Sequence, residues 1–144
     1  LFDLETQESD GTQKLFSLSG RLAVALLEGT PIMIDEIDAS LHPLITTTLI
    51  DLFQSSESNP KNTQIIFATH DVNLLQNDRF RRDQIWFVEK DKFGASHLYS
   101  LAEFKIRYDA SYQKDYLAGR YGAIPFVGAQ NFLEGLQDGK TQKA

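Results

Sequence analysis

Apolar residues recur at Leu15, Leu18, Leu22 and Leu26, with further ones between them, so Thr12–Glu28 predicts a helix with a buried face. Gly29 suits its C-terminal end, because glycine accepts the left-handed conformation that closes many helices. Pro31–Ile34 is a short unbroken apolar run, the pattern of a buried strand. Helical spacing returns over His42–Phe53, where Leu44, Leu49, Leu52 and Phe53 are apolar. The polar stretch "SSESNPKN" predicts a loop, and Gln64–Ala68 is a second β-type run. Asp71–Leu75 predicts a short helix start with Asp71 near its N-cap. Gln84–Glu89 predicts a third strand on which Trp86 and Phe87 serve as core packing. Asp91–Ala95 is turn-like, and His97–Leu101 can pair back as an antiparallel strand. Ser111–Leu117 predicts a short helix, "GRYGAIPFVG" a loop, residues 1–11 an irregular polar lead-in and residues 137–144 a disordered tail.

Strands at 31–36, 64–69 and 84–89 are thus separated by helical segments. Residues 37–63 are enough for a right-handed βαβ crossover. The expectation is an α/β fold: a parallel sheet with helices packed on it and a small antiparallel addition.

Composition narrows the class. A chain of 144 residues suits about one domain, and 42% hydrophobic with 24% charged residues reads as soluble and globular. No apolar run approaches the roughly 18 residues of a membrane span, which points to a cytoplasmic protein with no membrane partner. The absence of cysteine excludes disulfides and thiolate metal sites. A net charge of −6 argues against a strongly basic nucleic-acid surface. The short cluster Arg79, Arg81 and Arg82 reads as a solvated face, and Arg120 with Tyr121, between two glycines, is a candidate contact loop.

The chemistry lies where the strands end. "IMIDEID" runs from a strand straight into Asp35 and Glu36, and the second strand ends in Thr69, His70 and Asp71. In an open parallel sheet, ligands bind outside the carboxyl ends of the strands. If the two strands are neighbours, the acids and the histidine reach one ligand. A hydrophobic strand ending in Asp-Glu is a Walker B pattern. There Asp35 would hold Mg²⁺, a hard cation that prefers oxygen ligands, and Glu36 would orient or deprotonate the attacking water. "SDGTQ", Ser9–Gln13, lies at the start of a helix, where backbone N–H groups can receive an anion; equally, Ser9, Asp10 or Thr12 can simply cap the helix.

The ordered set "SDGT", "IMIDE", "ASLH" and "ATHD" resembles the C-terminal part of an ABC-type ATPase domain. Such domains are shared by ABC transporters and by the SMC, RecF and overcoming-lysogenization-defect groups. The resemblance spans about residues 8–90 and implies a P-loop NTPase lobe. It makes Ser9, Asp10, Gly11 and Thr12 the signature, which contacts ATP in trans, and Ser9 and Gly11 the grip on the γ-phosphate of a partner protomer in a head-to-tail dimer. It makes Ser40 and His42 part of the D-loop, with Asp38 beside them at the dimer interface, and His70 the switch histidine that contacts the γ-phosphate. Three residues depart from the pattern: Glu8 stands before the signature serine, Asp10 replaces a glycine, and His42 replaces the usual aspartate. Together with "RRDQIWFVEK" and "GRYGAIPF", the set is similar to bacterial AAA-family ATP-binding proteins of the RloA and abortive-infection type. That similarity reaches about Phe126 and implies a phage-defence setting, with a defence effector or nucleic acid as a further partner.

No GxxxxGK[ST] loop occurs; "GLQDGKT", Gly135–Thr141, has the wrong spacing and follows no strand. The expectation is a C-terminal lobe of a larger or split ATPase whose Walker A lobe comes from elsewhere. The chain alone would then be inactive, and Leu1 would not be a natural start. Two rival readings stay open. One is a non-hydrolysing dimerisation or regulatory module. The other is a metal-dependent nuclease built from Asp35, Glu36, Asp38 and His70, against which adjacent strand residues pointing to opposite faces would count.

Overall fold

The computed structural model describes residues 7–76 and 79–125. The chain divides into two compact units, one within residues 1–74 and the other within 75–144.

The first unit begins with α1, Asp10–Glu28. Ser9, extended at φ −68° and ψ 153°, is its N-cap: the side-chain oxygen accepts the Thr12 N–H at 3.3 Å. A serine cap of this kind is worth about 1 kcal/mol. The helix therefore starts two residues before the Thr12 that periodicity suggested, because the cap lies outside the apolar pattern. Gly29, at φ 77°, closes α1 with its N–H on the Ala25 carbonyl. Leu18, Leu22 and Ala25 are its buried face.

Strand β1, Ile32–Ile34, pairs in parallel with β2, Ile65–Phe67, in the register Ile32–Ile65, Met33–Ile66 and Ile34–Phe67. Between them lies α2, Pro43–Gln54, capped by His42 with Pro43 at its first position. Proline there has no N–H to leave unpaired and a φ already helical. Asn59 organises the return to β2: its amide donates to the Phe53 and Thr63 carbonyls, and its carbonyl oxygen accepts the Thr63 N–H. Ile37 and Ile50 are wholly buried. Met33 and Ile66, register partners on one face of the sheet, are 77% and 54% exposed. Parallel sheets ordinarily have both faces covered.

In the second unit β3, Trp86–Lys90, pairs antiparallel with β4, Ser96–Ser100, through a turn held by Asp91, whose carboxylate accepts the Phe93 and Ala95 N–H groups. The antiparallel return expected at His97–Leu101 is present. The expected third parallel strand is not: β3 belongs to a separate two-stranded sheet. A parallel crossover usually needs a helix. The described residues between β2 and β3 carry only 3₁₀ turns at Val72–Leu75 and Arg82–Gln84. Phe87 is buried as expected, but Trp86 is exposed on the opposite face of the strand, its indole N–H bonded to the Asp83 carbonyl.

Phe87, Leu101, Ile85 and Tyr121 form the core of this unit, with Tyr99, Phe104 and Tyr116 packed against it. Helix α3, Tyr112–Leu117, is capped by Ser111. Residues 119–125 form the expected loop; the expected disordered tail and the GLQDGKT stretch lie outside the described residues. Among the described residues no helix is long and apolar enough to cross a membrane.

Candidate functional site

Parallel pairing brings the carboxyl ends of β1 and β2 side by side. Beyond the strands, the Ala68 N–H donates to the Ile34 carbonyl and the Ile37 N–H to the Ala68 carbonyl, so the two chains leave the sheet still joined. Asp35 and Glu36 lie in this exit on one side, Thr69 and His70 on the other. Glu36 Oε1 stands 3.9 Å from His70 Nε2, and both side chains are mostly exposed. The two groups that the sequence placed at separate strand ends are therefore brought to one point.

Asp35 is not the neighbour of Glu36 on a regular strand, because the strand ends at Ile34. Glu36 has φ 47°, in the left-handed region that a β-carbon disfavours by about 1–2 kcal/mol. Ser40 repeats this at φ 59°. Between them the Ala39 N–H donates to the Glu36 carbonyl and the Leu41 N–H to the Asp38 carbonyl, giving two successive tight turns. Strained positions of this kind persist only where surrounding contacts over-determine them.

Two contacts from α1 meet these turns. Lys14 Nζ donates to the Glu36 carbonyl at 2.6 Å. Gly11 lies against Ser40 so closely that a β-carbon at 11 would come within 2.6 Å of the Ser40 carbonyl oxygen. The stretch Ser9–Thr12 thus does two things. Its serine caps the helix, and its glycine permits the helix to approach the loop after β1. The first-turn N–H groups of Asp10 and Gly11 have no acceptor within the helix. The Asp10 carboxylate shares that turn, where it complements the helix dipole but opposes a phosphate. Ser9 Oγ and Thr12 Oγ1 are 3.0 Å apart, so each hydroxyl is engaged locally.

Asp38 faces inward along the same loop. Its Oδ1 accepts the His70 N–H at 3.3 Å, and Thr69 donates its hydroxyl to the carboxylate. Partial burial works to raise its pKa, but the Thr69 hydrogen bond, the Asp38 and His70 N–H groups and the His70 ring together outweigh burial and hold the carboxyl below its ordinary value. Asp38 therefore ties the exit of β1 to the exit of β2. His42 is similarly used within the chain: its Nδ1 accepts the Leu44 N–H at 3.2 Å, which puts the proton of a neutral ring on Nε2. Ser40 and His42 are both exposed.

The Asp35 carboxylate is exposed and has no hydrogen-bond or ionic partner among the described residues. Mg²⁺ is commonly held by one or two carboxylates, with phosphate oxygens and water completing the octahedron. A free aspartate at the end of β1 fits that share. Among the described residues no three His, Asp or Glu side chains stand together as a metal cage.

Sequence reasoning gave no role to Lys14 or to the Thr69 hydroxyl. Lys14 had a usable signal: it lies three residues after Gly11, so both fall on the same helix face. Arg81 and Arg82 are exposed, which fits the solvated face read from the sequence; Arg81 also grips Asp83 through two hydrogen bonds of 3.0 and 2.8 Å. Arg120 pairs with Asp115 at 2.8 Å.

A family profile described as "AAA domain, putative AbiEii toxin, Type IV TA system" matches residues 4–76, and the chain belongs to that family. No curated protein matches the chain. The matched span holds α1, both parallel strands and the residues at their exits from Asp35 to His70, and it ends close to the boundary between the two units.

Proposed function

We propose that the first unit is the signature and Walker B part of an ATP-hydrolysing site. One observation carries the reading: an exposed carboxylate and an exposed imidazole, Glu36 and His70, meet 3.9 Å apart at the carboxyl ends of two neighbouring parallel strands, in a chain of the AAA family. In this reading Asp35 holds Mg²⁺, which neutralises charge on the phosphates of bound ATP. Glu36 accepts a hydrogen bond from the attacking water and orients it. His70 donates from Nε2 toward the γ-phosphate, where negative charge changes most in the transition state. Ser9, Gly11 and Thr12, with the free first-turn N–H groups, face the nucleotide of a partner protomer in a head-to-tail dimer. Ser40 and His42 lie at the surface between the protomers.

The 144 residues contain no GxxxxGK[ST] loop, so the phosphate cradle has to be supplied by a segment outside them, in cis or in trans. The exposed pair Met33 and Ile66 supports this, since it leaves one face of the small parallel sheet for another element to cover. The family's description names a "putative AbiEii toxin" and a "Type IV TA system", which supports including a role in bacterial phage defence in the proposal. The second reading, a dimerising lobe that binds without hydrolysis, is favoured by Asp10 alone, whose carboxylate opposes a phosphate at the signature turn.

Glu36→Gln separates the two. In the full-length protein it should retain ATP binding and accumulate an ATP-bound dimer on size-exclusion chromatography. Its turnover should fall by about a hundredfold or more, the usual worth of a placed base. Turnover near that of the unmodified protein would remove Glu36 from its role; no turnover in either protein would favour the dimerising lobe.

A further inference from the structure

We infer that Lys14 is a positioning residue for Glu36, and that it couples the helix bearing Ser9–Thr12 to the group that orients water. The inference rests on the ATPase reading above. At φ 47° the Glu36 backbone adopts a conformation that a glutamate does not hold by itself. Three contacts restrain it. The Ala39 N–H donates to its carbonyl, but that bond belongs to the same turn and would follow the turn wherever it moved. The Ile37 N–H, in the same peptide unit as the Glu36 carbonyl, bonds to the Ala68 carbonyl and ties that unit to the β2 exit. The third is Lys14 Nζ, 2.6 Å from the Glu36 carbonyl. Among the described residues it is the one side chain that reaches this backbone from another element.

The direction of the bond gives it its consequence. A charged donor on the carbonyl, with the Ile37 N–H bond at the other end of the same unit, holds the peptide plane after Glu36, and that plane together with φ sets the Cα–Cβ direction from which the Glu36 carboxylate projects. The carboxylate stands toward His70. Lys14 sits one turn beyond Asp10 and Gly11 on α1, and Gly11 itself abuts the Ser40 carbonyl. The first two turns of α1 therefore meet the 36–40 loop at both of its left-handed residues. A shift of α1, such as engagement of Ser9–Thr12 by a partner's nucleotide would produce, changes the distance from Lys14 to the Glu36 carbonyl directly. A surface lysine that merely finds the nearest acceptor would have no such effect on turnover.

Four proteins test this: full-length Lys14→Met, Lys14→Arg, Glu36→Gln and the Lys14→Met/Glu36→Gln double variant. Lys14→Met should lower kcat about ten- to a hundredfold, the cost of a small misplacement of a reacting group, and leave nucleotide affinity unchanged. Lys14→Arg, which keeps a charged donor, should recover most of the loss. In the Glu36→Gln background, Lys14→Met should add nothing, because the group it positions is already gone. Amide exchange of Ile37, whose N–H holds the same peptide unit to the Ala68 carbonyl, should quicken in Lys14→Met in the absence of nucleotide, which gives a readout independent of turnover. Normal kcat in Lys14→Met beside a crippled Glu36→Gln overturns the inference and leaves the ATPase reading standing. So does a loss that adds fully to that of Glu36→Gln, or a rise in KM at constant kcat. An unaffected Glu36→Gln removes Glu36 from its role and the inference falls with it; no turnover in the unmodified protein overturns the ATPase reading itself.

Discussion

The two units use polar groups in opposite ways. In the first, Asp35 has no partner among the described residues, and Glu36 and His70 face solvent with only each other 3.9 Å away. In the second, the polar side chains near the core are spent on structure. The Tyr99 hydroxyl donates to the Tyr121 carbonyl at 2.8 Å, the Tyr116 hydroxyl to the Ala123 carbonyl at 2.9 Å, and the Tyr121 hydroxyl to Asp115 at 3.2 Å. Phe87 stacks with Tyr116 and Tyr121 at centroid distances of 5.5 and 5.8 Å. Satisfied polar networks rigidify a fold. Unsatisfied carboxylates at a strand end instead keep their lone pairs for a ligand. The contrast is between a unit that holds its own loop in place and a unit whose loop leaves its acids open to a ligand.

Strain marks both. The loop of the first unit has left-handed residues at Glu36 and Ser40; that of the second has them at Gly119, Gly122 and Ala123. In the second unit glycine, which adopts this region without steric strain, takes two of the three positions, and tyrosine hydroxyls clamp the flanking carbonyls. In the first unit a glutamate and a serine bear the strain, residues that the proposed chemistry needs for their side chains.

The contrast breaks most visibly at Gly11. Gly11→Ala should destabilise the first unit, since its β-carbon meets a backbone carbonyl at 2.6 Å. Overpacking costs about 1–3 kcal/mol, and the gain in helix propensity returns at most about 1 kcal/mol. The control is Gly20, on the same helix, where an added β-carbon would have nothing within 4 Å. The same substitution there should stabilise by about 0.5–1 kcal/mol. Urea midpoints of the two variants should move in opposite directions; a shift of the same sign would mean that Gly11 is not a contact point.

A smaller effect belongs to Tyr121. Burial, followed by the Asp115 carboxylate, pushes its phenol up to about 12, against an ordinary value of 10.0. The folded pKa is raised, so the neutral phenol contributes stability that is complete below pH 10 and is lost as pH rises toward 12. Alkaline unfolding followed by tyrosine absorbance should show this slope, and Tyr121→Phe should flatten it while costing about 1 kcal/mol for the lost hydrogen bond. A slope that survives the substitution would assign it to another tyrosine.

Asp38 should give the smallest effect, with the opposite sign. Its folded pKa lies below the ordinary 3.8, so its contribution is present above that value and is lost as pH falls through the lower folded pKa. Asp38→Asn should reduce the dependence of stability on pH below about 4, measured by circular dichroism. An unchanged acid limb would mean that the bond from the His70 N–H does not hold the two strand exits together. Acid would then loosen the first unit no more than alkali loosens the second, and the contrast between the loops would be weaker than their hydrogen bonds imply.

The sequence by itself determined what depends on neighbours a few residues away. Ser9, Gly29, His42 and Ser111 cap helices because a cap needs only its own turn. The apolar runs at 32–34 and 65–67 became strands, and the helix between them made parallel pairing the natural return, which placed Glu36 and His70 at one end. The fate of the third run was not legible, because Trp86–Lys90 reads as a strand whichever partner it takes; the tight turn at Asp91 decided in favour of β4. Tertiary structure alone decided three further things: that Asp38 would turn onto Thr69 and His70, that Gly11 would be packed against Ser40, and that Lys14 would reach the Glu36 carbonyl 22 residues away. Each joins segments distant in the chain, and a hydrogen bond or a close approach of that kind depends on positions in space that no local pattern of apolar and polar residues encodes.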